Sequence, residues 1–242
     1  MKKYLPFFLI AALSLAANDA NSQSGYMDNA LNYNRLLIAK TPDGVYKLVG
    51  NFKVIGTSYL FGERNKGDIF SPETKAYNIS LSYNTYKQEV EFYSTANPDK
   101  PLIKEPGTLD SFILRSDIDV DPANPQQFSG KFIYGPLLGS SEKSYFLELY
   151  AGKRFSVYKR YKADLGYVSS NYIQSELRQF DLLYDYFYID KEKQGLKRLK
   201  TNASSIIKEF KDLKDISSVF TADGFSADQE AALRKAFEYL NQ

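Results

Sequence analysis

Between Asn78 and Tyr93 the chain alternates apolar and polar residues with a period of two, turns, and alternates again. Ile79, Leu81 and Tyr83 fall on one side of this segment, and Asn78, Ser80 and Ser82 on the other. After Asn84–Gln88 the chain returns as Glu89-Val90-Glu91-Phe92-Tyr93. A helix cannot keep every second residue on one face, so the segment reads as a β-hairpin with one face buried. Similar short runs recur at Val45–Val49, Phe52–Ile55, Tyr59–Phe61, Gly67–Phe70, Ser111–Leu114, Phe132–Tyr134, Tyr145–Tyr150, Arg154–Tyr158, Leu183–Ile189 and Leu196–Lys200. The 20 Tyr and 17 Phe suit that reading, because aromatic side chains favour strands.

Turn residues punctuate the runs. Thr41-Pro42-Asp43-Gly44 and Ser71-Pro72-Glu73 mark turns, Ala151-Gly152-Lys153 a tight turn, and Gln194-Gly195 a hairpin. Pro98, Pro101 and Pro106 predict an irregular loop over Ala96–Gly107. Residues 163–180 are polar and predict a long loop, and Asp28–Ala39 predicts a short helix. Asp121–Pro125 divides the strands into two β units, 23–121 and 122–200. At Thr201 the period changes. Ile206, Ile207, Phe210 and Leu213 share a helical face, with Asn202 as N-cap. A turn or two of helix through Val219-Phe220 is broken by Gly224. Ser226 and Gln229 then resemble a capping box opening a final helix that carries Leu233, Phe237 and Leu240. The expected fold is α+β, mainly antiparallel β, with a helical tail over 201–242 packed on the second unit.

Residues 1–22 read as a signal peptide: Lys2 and Lys3, an apolar run of about 13 residues from Leu5 to Ala17, then small residues. Cleavage is expected before Gln23, with Ala17 as the other site. Residues 5–17 are too short to span a bilayer, which takes about 20, and no other stretch is long and apolar enough. The expected location is periplasmic or extracellular, peripheral to the outer membrane in one version. With no cysteine, acylation at an N-terminal cysteine and disulfides are excluded.

The absence of histidine as well removes the usual neutral-pH base, His-dependent nucleophiles and imidazole metal ligands. No phosphate-binding or dinucleotide-binding glycine motif occurs. We therefore expect a non-enzymatic protein without a cofactor or metal. Asp117, Asp119 and Asp121 resemble the start of a calcium loop, but Pro122 and Phe128 stand where Gly and Glu are required. Glu89 and Glu91 leave a carboxylate-based hydrolase as a remote reading, with a solvent-facing strand as the simpler one.

Two groups remain as candidate binding residues. Tyr184, Tyr186 and Tyr188 share one strand face and could line a groove; the alternative is that the helices after residue 201 cover them. Lys159, Arg160 and Lys162 form the densest basic run, inside a segment, 151–214, with 14 basic against 8 acidic residues. The partner classes this suggests are an envelope protein, an anionic lipid headgroup or an acidic glycan. Nucleic acid is not expected: 31 basic residues face 29 acidic ones, and removing Lys2, Lys3 and Asp19 with the leader leaves a net charge near zero. The main alternative function is a carrier of an apolar ligand such as a lipid, held between sheet and helices.

Three stretches carry a resemblance. Leu81–Phe92, Leu149–Tyr161 and Leu196–Lys200 with the tail ending near Tyr239-Leu240-Asn241 resemble segments of uncharacterised secreted β-rich proteins of Bacteroidetes. The resemblance implies secretion and a β-rich fold. It brings no catalytic residue, since that group has no established activity.

Overall fold

The computed structural model describes residues 53–94, 97–116, 128–167, 177–193 and 195–242, together with the strands Ile38–Lys40 and Tyr46–Leu48. The expected leader, the Asp117/Asp119/Asp121 triplet and the boundary at Asp121–Pro125 lie outside these residues. Two bodies separate, residues 1–56 with 166–180, and residues 57–165 with 181–242. In the smaller one, β1 (Ile38–Lys40) pairs antiparallel with β2 (Tyr46–Leu48). Ile38 and Ala39 are thus in a strand and do not end the helix expected there. Also in this body, β3 (Lys53–Ile55) runs parallel to Leu177–Gln179.

The larger body is built on a mostly antiparallel sheet. Its strands are β4 (Asn65–Phe70), β5 (Lys75–Asn84), β6 (Glu89–Ser94), β7 (Asn97–Lys104), β8 (Ser111–Ser116), β9 (Phe128–Tyr134), β10 (Tyr145–Ala151), β11 (Phe155–Tyr167) up to Leu165, β12 (Leu177–Asp190) from Asp181, and β13 (Leu196–Arg198). They lie in the order β13-β12-β11-β10-β9-β8-β4-β5-β6-β7. β8 and β9 pair from Ser111↔Ile133 to Ser116↔Phe128, so main-chain pairing continues on either side of residues 117–127.

The sheet bends at β4. A Cβ on Gly67 would collide with the Ile113 carbonyl and the Leu81 side chain, so glycine lets three strands approach there. The next pair contains a bulge: the β4–β5 register shifts between Gly67 and Ile69, and Asn78 takes φ +51°. Asp68 fixes that bulge. It accepts from Asn78 N at 2.9 Å and from the Arg115 guanidinium, Nη1 at 3.0 Å and Nη2 more closely. These guanidinium bonds, with help from Asn78, hold its carboxyl below the usual range.

Bending brings the end of β5 onto β11, where Ala163 N donates to Thr85 O at 3.2 Å. Gln88 secures this closure from the β5–β6 turn. Its Nε2 donates to Thr85 O (2.7 Å) and Tyr161 O (3.1 Å), and its Oε1 accepts from Tyr83 OH (2.6 Å) and Tyr145 N (3.2 Å). The curled sheet encloses aromatic rings. Phe112 and Phe132 stack at 4.8 Å, and Tyr83 meets Phe112 at 5.0 Å and Tyr145 at 6.0 Å. All four are fully buried, and burial of each such side chain contributes about 1.5–3 kcal/mol.

The alternation of β5 is real, but its polar face is solvated only at the Asn78 end. Ser82 and Asn84 are as buried as Leu81 and Tyr83. Residues 58–64 lie over that face: Leu60 N donates to Tyr83 O, Thr85 N to Ser58 O, and Arg64 N to Ser82 Oγ. Tyr59 OH donates to Glu91 Oε1 at 2.7 Å, so Glu91 is buried and the solvent-facing reading of the Glu89/Glu91 strand is corrected. Tyr59–Phe61 forms no regular strand; Tyr59 bridges to Asn84, and Phe61 turns at φ +56°.

Asn97–Lys104 is strand β7 and not an irregular loop, because it pairs with β6 alone, and an edge strand tolerates proline. The polar segment 163–180 is shorter than expected, since β11 extends to Tyr167 and β12 begins at Leu177.

Three α-helices among its described residues complete this body. α1 (Ala203–Phe210) is capped by Asn202, whose side chain accepts from Ser205 N, as expected. It buries Ala203, Ile206 and Phe210, whereas Leu213 lies past its end, exposed. α2 (Ala222–Ala227) contains Gly224, which the Thr221 side chain caps at N–H, so this glycine does not end a helix. α3 (Gln229–Leu240) is capped by Asp228 and not by Ser226, which sits inside α2. Its buried residues are Leu233, Ala236, Phe237 and Leu240. α1 and α3 cover the β11–β12 face through Phe155–Phe210, Phe155–Phe237, Tyr188–Phe210 and Tyr188–Phe237 contacts of 5.1–6.4 Å. Asn241 ties the tail to β11, accepting from Arg154 N and Phe155 N and donating to Phe155 O and Phe237 O. Among the described residues no helix is long and apolar enough to cross a membrane.

Two outcomes follow from the closure and the bulge. Gln88→Ala should lower unfolding free energy in urea by about 2–4 kcal/mol, since it strands buried polar groups on three strands. Asp68 contributes stability above the ordinary carboxylate range that is lost as pH falls through its lowered folded value. Asp68→Asn should therefore cost about 1 kcal/mol at neutral pH and flatten the decline below about pH 4, measured by denaturant titrations across pH.

Candidate functional site

Lys159-Arg160-Tyr161-Lys162 lies within one strand, β11, so its side chains alternate between the two faces. Tyr184-Asp185-Tyr186-Phe187-Tyr188 does the same on β12. The pleat thus divides the candidate residues into two groups.

The first group faces the helices. Lys159 is buried, with its side chain 9 % exposed, and pairs with Glu230 of α3 at 2.7 Å. Its ammonium stands 4.6 Å from the Tyr161 ring centroid, 4.2 Å from Tyr184 and 5.6 Å from Tyr186. Three rings and one carboxylate therefore surround the cation, an arrangement in which ring quadrupoles replace lost hydration. Tyr186 and Tyr188 are buried, and Tyr188 OH donates to Glu209 of α1 at 2.8 Å. Tyr184 sits at the rim, half exposed, with its OH 3.3 Å from Gln229. Burial, reinforced by nearby carboxylates, raises the Tyr186 and Tyr188 hydroxyls far above the usual phenol range. The covered-face alternative describes Tyr186 and Tyr188.

The second group faces outward. Arg160 donates from Nη2 to Asp185 Oδ2 at 2.7 Å, contacts Glu142 through Nη1, and lies 5.2 Å from the Phe187 ring. Arg198 of β13 reaches the other oxygen of Asp185. Asp185 thus holds two guanidiniums side by side. Lys162 pairs with Asp164 at 2.8 Å, and both remain about half exposed. A groove of about 420 Å³ runs here, lined by Arg160, Lys162, Leu182, Leu183, Tyr184, Asp185 and Arg198. This groove is the candidate site. It combines exposed cationic side chains, Lys162 and Arg198, with half-exposed apolar ones, which suits binding.

The remaining titratable groups are dispersed. Glu89 is half-buried, and burial raises its carboxyl above the usual range. Glu91 is occupied by Tyr59. Among the described residues no three or more Asp or Glu side chains are placed to hold a metal ion.

Sequence reasoning missed Asp185, Arg198, Leu182 and Leu183. The hairpin register could have found Arg198: Phe187 pairs with Arg198, which puts Arg198 diagonal to Asp185. The exposure of Leu182 and Leu183 carried no signal, because a Leu-Leu-Tyr run reads as core.

Lys159→Ala should lower stability by about 2 kcal/mol, because Glu230 and the cage lose their cation, while Lys162→Ala should stay within about 0.5 kcal/mol. Thermal or urea unfolding of both variants checks this. The raised phenols set an alkaline limit. Tyr145, pushed up to about 12 by burial, and the still higher Tyr186 and Tyr188 stay neutral in the folded chain while unfolded phenols ionise. Stability should fall as pH rises through about 10, with phenolate absorbance appearing together with loss of structure.

Searches against protein-family models, curated proteins and solved structures find no match to this chain.

Proposed function

We propose that the chain is an exported, non-enzymatic protein of the cell envelope that binds another protein or a surface polymer. The observation that carries this reading is the outer groove: about 420 Å³ between Arg160, Lys162, Arg198 and the half-exposed Leu182, Leu183 and Tyr184. A soluble surface seldom clusters apolar side chains of this size beside fixed cations unless something covers them. Export through residues 1–22 and kinship with the secreted Bacteroidetes proteins are parts of the same proposal. Over a carrier of apolar ligands, the binding role is favoured by the filling of the sheet–helix interface. Phe155, Tyr188, Phe210 and Phe237 occupy it in mutual contact.

Fractionation of native cells, followed by crosslinking and mass spectrometry, tests the reading. The protein should appear outside the cytosol, leave the envelope in a salt wash, and carry a crosslinked partner. Lys162→Glu combined with Arg198→Glu should reduce partner recovery about tenfold, as two exposed attractions become repulsions. A cytosolic protein, or recovery unaffected by the double substitution, would count against it.

A further inference from the structure

We infer that the edge of β12 at Leu182–Asp185 receives an extended, acidic segment of a partner protein by strand addition; this rests on the groove being a binding site. The register sets the geometry. Leu199 N donates to Tyr186 O at 2.8 Å, in line with the β12–β13 pairs at Phe187, Tyr188 and Ile189. Main-chain groups of alternate residues in a strand point to the same side. Tyr184 and Leu182 therefore turn N–H and C=O toward the β13 side, where no strand pairs with them among the described residues.

Edges of this kind are normally guarded by proline, lysine or a bulge. β7, the outermost strand at the opposite end of the sheet, carries Pro98, Lys100, Pro101 and Lys104. Leu182-Leu183-Tyr184-Asp185 carries no such guard. Instead its three apolar residues are 48 %, 49 % and 49 % exposed. A polysaccharide has no alternating amides to answer these groups, whereas an extended peptide does, with its own side chains set on the two faces.

Charge selects the peptide. The groove lining holds three cations, Arg160, Lys162 and Arg198, and one carboxylate, Asp185, with Glu142 and Asp164 paired to Arg160 and Lys162 beside it. Arg160 is committed to Asp185 and Glu142, but the side chains of Arg198 and Lys162 are 60 % and 55 % exposed. These two can meet carboxylates on a segment lying along β12.

Full-length protein should be titrated with an alternating glutamate–valine peptide of about six residues, its lysine–valine counterpart, and polygalacturonate. Fluorescence anisotropy gives affinity, and amide hydrogen exchange locates it. The acidic peptide should bind and slow exchange at Leu182 and Tyr184, with the lysine peptide about tenfold weaker. Leu182→Pro, which deletes one outward N–H, should weaken the acidic peptide about tenfold. Arg198→Glu, tested alongside in case the proline variant fails to fold by circular dichroism, should erase the preference for acid. Binding of polygalacturonate, with no peptide altering exchange at those amides, would overturn strand addition while leaving the groove a binding site. If no probe perturbs the groove residues, both readings fall.

Discussion

The amide of Gln88 is satisfied at both ends in a place where water cannot replace the protein. It takes a left-handed φ of +61° in the turn between β5 and β6, and from there it reaches β10 and β11 as well as its own hairpin. Four hydrogen bonds on one buried side chain fix a single mutual arrangement of strands distant in the sheet order. The aromatic interior depends on that arrangement. Phe112 and Phe132 stack as cross-strand partners of β8 and β9, and Tyr83 of β5 meets Phe132 and Tyr145 only once the sheet has curled. Bending at Gly67 and the Asp68-pinned bulge make the curl possible, and Gln88 holds it closed.

The curl also determines which polar groups are spent on structure. Residues 58–64 cover the polar face of the β5–β6 hairpin, so Glu91 and Ser82 become partners of the main chain and of Tyr59. On the other side of the body, the helical tail takes up Lys159, Tyr186 and Tyr188. The outer surface of β11, β12 and β13 faces solvent with mixed character. Asp185 is central there, since one carboxylate orienting two guanidiniums sets the direction in which their remaining N–H donors point.

Three of the seven residues lining the candidate site were legible in residue order. Arg160, Lys162 and Tyr184 were identifiable as basic and aromatic residues in strands, and they do line the groove. Lys159 and Tyr186 were identified by the same reasoning and turn out to support the helices. Adjacent residues of a strand project to opposite faces, and the composition of a run does not say which face a later helix will cover. Leu182 and Leu183 show the converse: apolar residues in a strong strand, left half-exposed because β13 stops pairing short of them.

Local periodicity determined the elements themselves: the hairpin after Asn78, the β10–β11 turn at Gly152, the cap at Asn202 and the buried stripe of α3. These depend on neighbours within a few residues, and such neighbours are written in order along the chain. Sequence also settled the stock of chemistry, since a chain without His or Cys has neither to place. Tertiary structure alone decided that Asn97–Lys104 pairs as an edge, that Glu91 is buried, and that Lys159 and Arg160 serve opposite faces. Asn97–Lys104 pairs with its neighbour β6, but Glu91 and Lys159 are set by contacts with segments far away in the chain, Tyr59 and Glu230, the second brought in by the docking of the tail.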